Sequence, residues 1–437
     1  QYVSKRDKET GLRARIRPEG AITLGLMPLT TTGKRPKLWS RVMQTGEADF
    51  LTPSTNKEVL GILGHKNPIA RKQRDFKFIA QVMQSTLRVP TANDEGVFDV
   101  DENGNYEYEK GIAGLMHADG RIRTHLAQIL ETARAASRRP NLQNLSKRRE
   151  DDYRRIIGKD VHVHPVRSIL MMPPGYVGIE ADLVGAELAV LAWLSQDPNM
   201  IDHVRRSALP ENHPDHYDIH SQQAVRAFNL TNVVPTKTGM KKAGVPGLRV
   251  AAKNVNFGIP YGRSAEAISR QCAEEGVDVT EHDCQLMIDA YFAQYPGTEV
   301  FLEECRVRSQ GPKWLRGPYG SYRRFVSTND RGVIGEQHRQ SQNFPIQNGV
   351  ADNVTIGLTA LKDFRDTLNP DECWFEFVLQ IHDAVILMCK VEHAHRVYHE
   401  ILPECMVQRA PFWPMRLDGT PIQVDAPYRF GIDREVF

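Results

Sequence analysis

The chain has few cysteines, no long apolar run and almost no net charge. Its six cysteines form no C-x-x-C pair and no zinc-ligand spacing, which indicates reduced, buried thiols in a cytosolic compartment. No apolar run approaches the roughly 18 residues of a membrane span, and no signal peptide is visible. The net charge of +2 on 437 residues gives little compositional sign of nucleic acid. We therefore expect a cytoplasmic protein without a membrane partner, too long for one hydrophobic core.

The most informative stretch is RVAAKNVNFGIPYG, in which Arg249, Lys253, Phe257 and Tyr261 recur every four residues. On an α-helix four residues advance about 400°, so these side chains lie along one slowly drifting face. An amphipathic core helix carries aliphatic residues at this spacing. Two cations followed by two aromatic rings instead suit a nucleotide, with the cations on its phosphates. The alternative is an exposed helix with a buried end.

Two acids lie where strands are predicted to end. Pro-Pro-Gly at 173–175 predicts a turn, followed by a strand over 176–183 and a helix from Ala186. WFEFVLQI and AVILMCK flank His382 and Asp383, which predicts two strands joined by a tight turn. Asp182 and Asp383 can then converge on one sheet edge and hold two Mg²⁺ ions. The alternative is that each is an ordinary turn residue.

The remaining segments are less informative. Residues 1–50 are polar and weakly periodic, so we expect an N-terminal extension that is partly disordered or packs on something outside the chain. The pattern over 55–87 predicts helix, and DENGNYEYEK within 94–110 predicts an acidic loop or hairpin. Residues 235–247 predict a Gly-, Pro- and Lys-rich connection. A first residue Gln1 rather than Met is typical of a chain trimmed from a longer product.

Six motifs stand in the order found in family A DNA polymerases, the group of bacterial DNA polymerase I and many phage replicases. RxxxKxxxFxxxYG resembles the nucleotide-binding fingers helix of that family. The other similar segments are TAR at 132–134 with PNLQN at 140–144, EADLVGAELAVLAWLS at 180–195, YFAQYPG at 291–297, R-x3-N-x-P-x-Q at 339–347 and QIHDA at 380–384. The second and last of these resemble the family's two metal motifs. The resemblance runs from about residue 50 to the C-terminus.

The resemblance implies an α+β right-hand polymerase fold with an antiparallel-sheet palm, helical fingers and a helical thumb. The implied boundaries are an extension over 1–50, thumb over 51–115, palm over 116–200 and 336–437, and fingers over 201–335. Nine Lys or Arg against three acids occur between Arg134 and Lys159. Such a run is either a solvated face or a phosphate contact, and its position beside PNLQN favours phosphate.

The resemblance also implies roles for individual residues. Asp182, Asp383 and the Leu183 backbone carbonyl would bind two Mg²⁺ ions, for which Mn²⁺ can substitute. Lys253 would donate a proton to the leaving pyrophosphate. The implied nucleotide-binding residues are Arg249, Lys253, Phe257, Tyr261, Glu187 and His382, with Glu187 as a steric gate against the 2′-hydroxyl. The implied DNA-binding residues are Thr132, Arg134, Asn141, Gln143, Asn144, Arg339, Asn343 and Gln347.

Some positions depart from the family pattern. Ala384 replaces the Glu that usually follows HD, Ala189 replaces an Arg, and Gly185 replaces a Gln, although some phage enzymes carry Gly there. His213, His216 and His220 have a spacing that can bind zinc, but DIH at 218–220 resembles a fingers segment, so we expect no zinc. DKET at 7–10 mimics a proofreading exonuclease motif without the apolar strand that should precede it, so we predict no proofreading site.

The predicted function is a DNA polymerase that adds dNTPs to a primer 3′-hydroxyl on a DNA template. Gly185, a short thumb and the missing nuclease domain indicate phage-type replication in a bacterial host cytoplasm. A helicase-primase, a processivity clamp or a separate exonuclease are plausible partners that no residue identifies. The alternatives are a single-subunit RNA polymerase, and a primer–template-binding subunit whose active site has decayed.

Overall fold

The computed structural model describes residues 3–6, 13–16, 31–32, 52–53, 57–86, 100, 111–128, 130–145, 150–158, 166–369 and 374–437. Contacts divide the chain into two compact units, one of Gln1–Ile79 with Ala273–Gly276 and one of Ala80–Cys272 with Val277–Phe437. Every predicted site residue belongs to the second unit. The acidic segment over 94–110, apart from Val100, and the DKET segment at 7–10 lie outside the described residues.

Helices form the larger part of the described chain. They are α1 (Lys57–Lys66), α2 (Pro68–Thr86), α3 (Glu150–Ile157), α4 (Ala186–Ser195), α5 (Pro198–Ser207), α6 (Ile219–Ala227), α7 (Lys237–Lys242), α8 (Pro246–Gly258), α9 (Ala265–Glu274), α10 (Glu281–Gln294), α11 (Pro296–Gln310) and α12 (Arg331–Asp366). A C-terminal helical segment follows, made of Ala394–Arg396 and the π-helical stretches Val397–Ile401 and Glu404–Gln408. None of the helices in the described ranges is long and apolar enough to cross a bilayer.

The strands are short outside one central sheet. They are β1 (Val3–Arg6), β2 (Arg13–Ile16), β3 (Thr31–Thr32), β4 (Thr52–Pro53), β5 (His125–Ala127), β6 (Ala136–Arg138), β7 (Tyr176–Leu183), β8 (Trp314–Arg316), β9 (Tyr322–Arg324), β10 (Phe375–Ile381), β11 (Ala384–Lys390) and β12 (Ile432–Val436). The central sheet has the order β10-β11-β7-β12, and all its pairs are antiparallel. The antiparallel sheet predicted for the palm is thus confirmed.

Strand β7 has one apolar face because its residues alternate. Ile179, Ala181 and Leu183 are almost fully buried, whereas Glu180 and Asp182 point to the opposite face and are only partly covered. Register is strongly fixed where one face is buried, since a one-residue slip would move every apolar side chain out of the core. The position of Asp182 in the sheet therefore follows from the packing of its neighbours.

Helix α4 is the central helix of this core. Its residues from Leu188 to Leu194 are all buried, which is typical of a helix enclosed on every side. It begins after Gly185, whose φ of +58° lies in the left-handed region that glycine adopts without strain. That backbone requirement accounts for the Gly at this position. Glu187 is the single charged residue of α4 and lies in its first turn.

Two predictions about residues 235–261 need correction. The connection over 235–247 contains helix α7, which begins because the Thr236 hydroxyl accepts a hydrogen bond from the Gly239 N–H at 3.0 Å. The predicted α-helical face also ends early, since α8 stops at Gly258 and Tyr261 lies on a following 3₁₀ turn, Ile259–Tyr261. The strand over 176–183, the helix from Ala186 and the helical pattern over 55–87 are confirmed.

Candidate active site

The two predicted metal ligands lie at the same end of neighbouring strands. Ala384, the first residue of β11, is paired with Asp182 on β7. Asp383 directly precedes Ala384 in the two-residue turn that joins β10 to β11, and the predicted tight turn is confirmed. His382, the other turn residue, is exposed and has a φ of +57°, a left-handed conformation that costs a non-glycine residue roughly 1 kcal/mol. Leu183 ends β7 with its side chain buried.

Arg249, Lys253 and Phe257 form a cationic and aromatic stripe along the open side of helix α8. Arg249 and Phe257 are partly exposed and Lys253 is exposed, while Ala251, Ala252 and Val255 on the other side are fully buried. Lys253 Nζ lies 5.9 Å from the centre of the Phe257 ring, a cation–π distance. The stripe is therefore a surface available to a ligand, and the buried alanines fix its orientation.

A hydrogen-bond chain joins Tyr261, on the turn after α8, to Glu187 on α4. The Tyr261 hydroxyl lies 2.9 and 3.0 Å from the two carboxylate oxygens of Glu187, and Arg134 donates to Glu187 Oε1 at 2.6 Å. Gln347 donates to the Tyr261 hydroxyl oxygen at 2.7 Å. Burial and the Glu187 carboxylate raise the pKa of Tyr261, so the hydroxyl stays protonated and able to donate. Four predicted site residues from four separate motifs thus form one connected group. One of them, Glu187, lies five residues after Asp182 in the sequence.

Two further predicted residues lie on successive turns of α12. Arg339 is half exposed and forms an ion pair with Glu336 at 2.5 Å. The Asn343 side chain has an oxygen, Oδ1, that is buried and has no hydrogen-bond partner among the described residues. At intervals of four residues, Arg339, Asn343 and Gln347 share one helix face. This face meets Tyr261 through Gln347, so α12 adds polar side chains beside the α8 stripe.

The PNLQN segment contains exposed and buried members. Asn141 and Asn144 are exposed, and Asn141 Oδ1 accepts from the Gln143 N–H at 3.1 Å, which starts the 3₁₀ turn Leu142–Asn144. Thr132 is partly buried on the preceding loop. Both asparagine side chains are therefore accessible to solvent, and their role in DNA binding stays a prediction.

Gln143 instead turns inward and is only 8% exposed. Its amide nitrogen donates to the backbone oxygens of Ala135 and Gln380, both at 3.1 Å, and its oxygen accepts from the Ser137 N–H at 3.0 Å. Gln380 lies just before the turn that carries Asp383. These bonds occupy the Gln143 amide inside the protein, and they fasten the PNLQN turn to the Asp383 hairpin.

Asp218 and His220, which were not among the predicted site residues, contact the side chains of α8. Asp218 binds Arg249 through two contacts, from Nε at 2.8 Å and from a terminal nitrogen at 3.2 Å. The amide of Asn256 donates to His220 Nδ1 at 2.9 Å, and the His220 ring lies 5.8 Å from that of Phe257. Burial, together with the charges of Arg249 and Lys253, lowers the pKa of His220 to about 4, so the ring is neutral at pH 7. The DIH segment was the available signal for both residues.

Strand β12 brings a further acid to the sheet. Asp433 is paired directly with Asp182, so their side chains lie on the same face, with Ala384 paired on the other side of Asp182. No motif indicates Asp433, because only the non-local pairing of β12 with β7 places it there.

Two carboxylates at one end of an antiparallel sheet, with cations and aromatic rings on α8 and on the 3₁₀ turn after it, are the arrangement expected of a right-hand polymerase. A family model described as DNA polymerase family A matches residues 41–426, and the chain belongs to this family. The resemblance and the fold class predicted from the sequence are thereby confirmed.

The chain is similar to bacterial and phage proteins. It is 29% identical over 341 residues to DNA polymerase I of Treponema pallidum (strain Nichols), covering 76% of this chain and 28% of the relative. It is 27% identical over 398 residues to the DNA polymerase of Escherichia phage T5, covering 87% of this chain and 41% of the relative. The chain thus spans less than half the length of these relatives.

A solved structure shows the same fold. The POL domain of Pol1 from M. smegmatis, in complex with DNA primer-template and dNTP, has a TM-score of 0.57 and 22% sequence identity. The match covers 75% of this chain and 49% of that chain. The subdomain boundaries and the roles of individual residues stay predictions.

Proposed function

We propose that this chain is a template-directed DNA polymerase that joins dNTPs to a primer 3′-hydroxyl and releases pyrophosphate. The hydrogen bonds between Tyr261 and Glu187 carry this proposal, because they join the end of the nucleotide-binding face to the helix that directly follows the strand of Asp182. A dNTP lying along α8 would then have its phosphates near Arg249 and Lys253. Its sugar would lie near Glu187 and its reacting phosphate towards Asp182 and Asp383.

The carboxylates fit Mg²⁺ by their chemistry. Magnesium prefers oxygen donors and is usually held by one or two carboxylates together with waters and substrate phosphates. In the described ranges no group of three or more His, Cys, Asp or Glu residues could hold a metal ion. At the proposed site Asp182, Asp383 and the Leu183 carbonyl would supply a minority of the ligands. Bound Mg²⁺ would activate the primer hydroxyl and stabilise charge on the leaving group.

The remaining steps belong to the protein side chains. Arg249 and the exposed Lys253 would bind the triphosphate, and Lys253 would protonate the leaving pyrophosphate. Phe257 and Tyr261 would contact the base and sugar. Glu187 would act as a steric gate, because Arg134 and Tyr261 hold its carboxylate and prevent it from moving away from a 2′-hydroxyl.

DNA would bind along the surface formed by the other polar residues. We assign Asn141, Asn144, Arg339 and Asn343 to the primer–template, and we assign Gln143 to support of the Asp383 hairpin. Asn343 Oδ1, which is buried without a partner in the described part of the chain, is an acceptor that a base edge could satisfy. Phosphate contacts should make the binding weaker at higher salt.

A phage-type role in replication is the finer proposal. The similarity to the phage T5 polymerase extends over 87% of this chain, more than the 76% matched by the Treponema enzyme. The absence of a proofreading site from these residues stays a prediction from the sequence, as does a cytoplasmic location. Incubation of a mismatched primer with Mg²⁺ and without dNTPs would reveal any excision.

The test is extension of a labelled primer–template with Mg²⁺ and either dNTPs or rNTPs, alongside Asp383→Ala. We expect extension with dNTPs alone and none with the variant, while DNA binding by the variant persists. Extension with rNTPs would favour an RNA polymerase. DNA binding without extension by the unmodified chain would favour a decayed primer–template-binding subunit, an alternative motivated by Ala384 and Ala189.

A further inference from the structure

Asp218 is a carboxylate that neither the metal site nor the hydrogen-bond chain uses. It is 8% exposed and precedes α6, where its Oδ1 accepts from the N–H groups of His220 and Ser221, both at 3.2 Å. Its Oδ2 accepts from the Ser221 hydroxyl at 2.7 Å. Asp218 is therefore the N-cap of α6 and is held in one orientation by that helix.

The same carboxylate holds Arg249 on the neighbouring helix. The contacts at 2.8 Å from Nε and 3.2 Å from the terminal nitrogen use one edge of the guanidinium in a fork-to-fork pair. A guanidinium has five N–H donors, so three remain for another ligand. The Arg249 side chain is 24% exposed, which leaves a solvent-facing part next to Lys253.

The charge state of Asp218 agrees with this contact. Burial by itself raises the pKa of the carboxyl, but the hydrogen bonds from Arg249 and Ser221 outweigh burial and the net shift is downward. Asp218 is thus ionised at neutral pH. The His220 ring beside it is neutral and makes its own contacts with Asn256 and Phe257. The start of α6 and the stripe of α8 are therefore joined at two neighbouring points.

We propose that Asp218 is a positioning residue for triphosphate binding, fixing the Arg249 guanidinium before the dNTP arrives. This inference rests on the proposed function. A free arginine side chain loses much rotamer freedom when it binds a phosphate, and a preformed ion pair removes most of that cost. Asp218 acts through Arg249 and does not touch the nucleotide. The same reasoning covers pyrophosphate, which would bind the guanidinium donors that Asp218 leaves open.

Asp218→Asn separates the two roles of this residue, which are capping α6 and pairing with Arg249. Asparagine is as good an N-cap as aspartate, so α6 should stay intact, while the charged fork to Arg249 is lost. The matched control is Asp197→Asn. Asp197 is another buried N-cap, at α5, and its carboxylate accepts from the backbone N–H groups of Met200 at 2.9 Å and Gly297 at 2.8 Å.

The experiment measures KM and kcat for dNTP in primer extension, and the inhibition constant of pyrophosphate. For Asp218→Asn we expect KM and the inhibition constant to rise about tenfold, with kcat within about twofold of the unmodified chain. Asp197→Asn should leave all three values within about twofold. An unchanged KM for Asp218→Asn, or a loss confined to kcat, would overturn the proposal.

A double-mutant cycle identifies the residue through which Asp218 acts. With Arg249→Ala already present, Asp218→Asn should add less than about twofold to KM, because the residue that it positions is gone. A further tenfold rise in that background would overturn the proposal. Calorimetric titration with dNTP needs no turnover, so the same comparison can be made by affinity. Failure of the unmodified chain to extend a primer would count against the proposed function alone.

Discussion

Replacing Tyr261 by Phe removes one oxygen atom from the candidate site and leaves the ring in place. The lost hydroxyl donates to the Glu187 carboxylate at 2.9 Å and accepts from Gln347 at 2.7 Å. Arg134 then remains as the partner of Glu187, at 2.6 Å. The carboxylate becomes free to rotate about that single contact. If Glu187 excludes the 2′-hydroxyl by its position, selectivity for dNTP over rNTP should fall.

The magnitude follows from the lost contacts. A hydrogen bond to a charged group contributes about 1.5–3 kcal/mol, and about 1.4 kcal/mol corresponds to a factor of ten. Complete loss would thus change selectivity by roughly 10- to 150-fold. Because Arg134 still restrains one carboxylate oxygen, we expect the lower end, about a tenfold fall.

The assay compares kcat/KM for matched dNTP and rNTP incorporation on one primer–template. Tyr319→Phe is the control, since the Tyr319 hydroxyl is also largely buried and bonded, to Asn353 at 3.0 Å, but belongs to a different part of the unit. That variant should keep the selectivity of the unmodified chain. A Tyr261→Phe enzyme with unchanged selectivity would refute the idea that the hydroxyl holds the gate.

Other substitutions test the remaining parts of the site. Gln143→Leu should lower the free energy of unfolding by about 2–4 kcal/mol in urea titrations, because it removes the amide that bonds to three backbone groups. A loss below about 1 kcal/mol would contradict the bridging role. Since the pKa of His220 lies near 4 in the folded chain and near 6.5 when unfolded, its stabilising effect is complete above pH 6.5 and lost as the pH falls towards 4. Between pH 7 and pH 5 the unfolding free energy should therefore fall by about 2 kcal/mol more than in His220→Gln, and parallel curves would refute this. Ala384→Glu would place a third carboxylate beside Asp182 and Asp433 on neighbouring strands, so charge repulsion should lower the melting temperature when no metal is present. Added Mg²⁺ should restore part of the lost melting temperature, and no response to Mg²⁺ would argue against a metal there.

Features set by short-range pattern were predictable from the sequence. The alternation of β7 and the start of α4 follow from apolar spacing over fewer than ten residues, and the turn at His382 and Asp383 follows from two flanking apolar runs. The end of α8 was missed although its signal is present. Pro260 lacks an N–H and disfavours a helix interior, and Gly262 has a φ of +62°, so the helix tightens to a 3₁₀ turn at Tyr261.

Features that depend on non-local pairing were not predictable. The bond from Gln143 to Gln380 and the pairing of Asp433 with Asp182 each join segments more than 200 residues apart in the sequence. The pair between Asp218 and Arg249 spans 31 residues and joins two helices. No spacing or composition in the sequence indicates any of these three contacts, because the partners meet only when separate elements pack. A motif can name Gln143, but only packing shows that its amide points inward.

The hydrogen-bond chain shows why each motif alone is weak evidence for a site, whereas the motifs together are strong evidence. Arg134, Glu187, Tyr261 and Gln347 come from four segments, and each alone is an ordinary polar residue. In the folded chain Glu187 has two partners and Tyr261 has two, so removing any one member alters the contacts of the others. Substitutions within such a network are not additive. If Glu187 acts as the proposed gate, the double variant of Arg134 and Tyr261 should therefore behave like loss of Glu187, and selectivity should depend on the connected group rather than on any single residue.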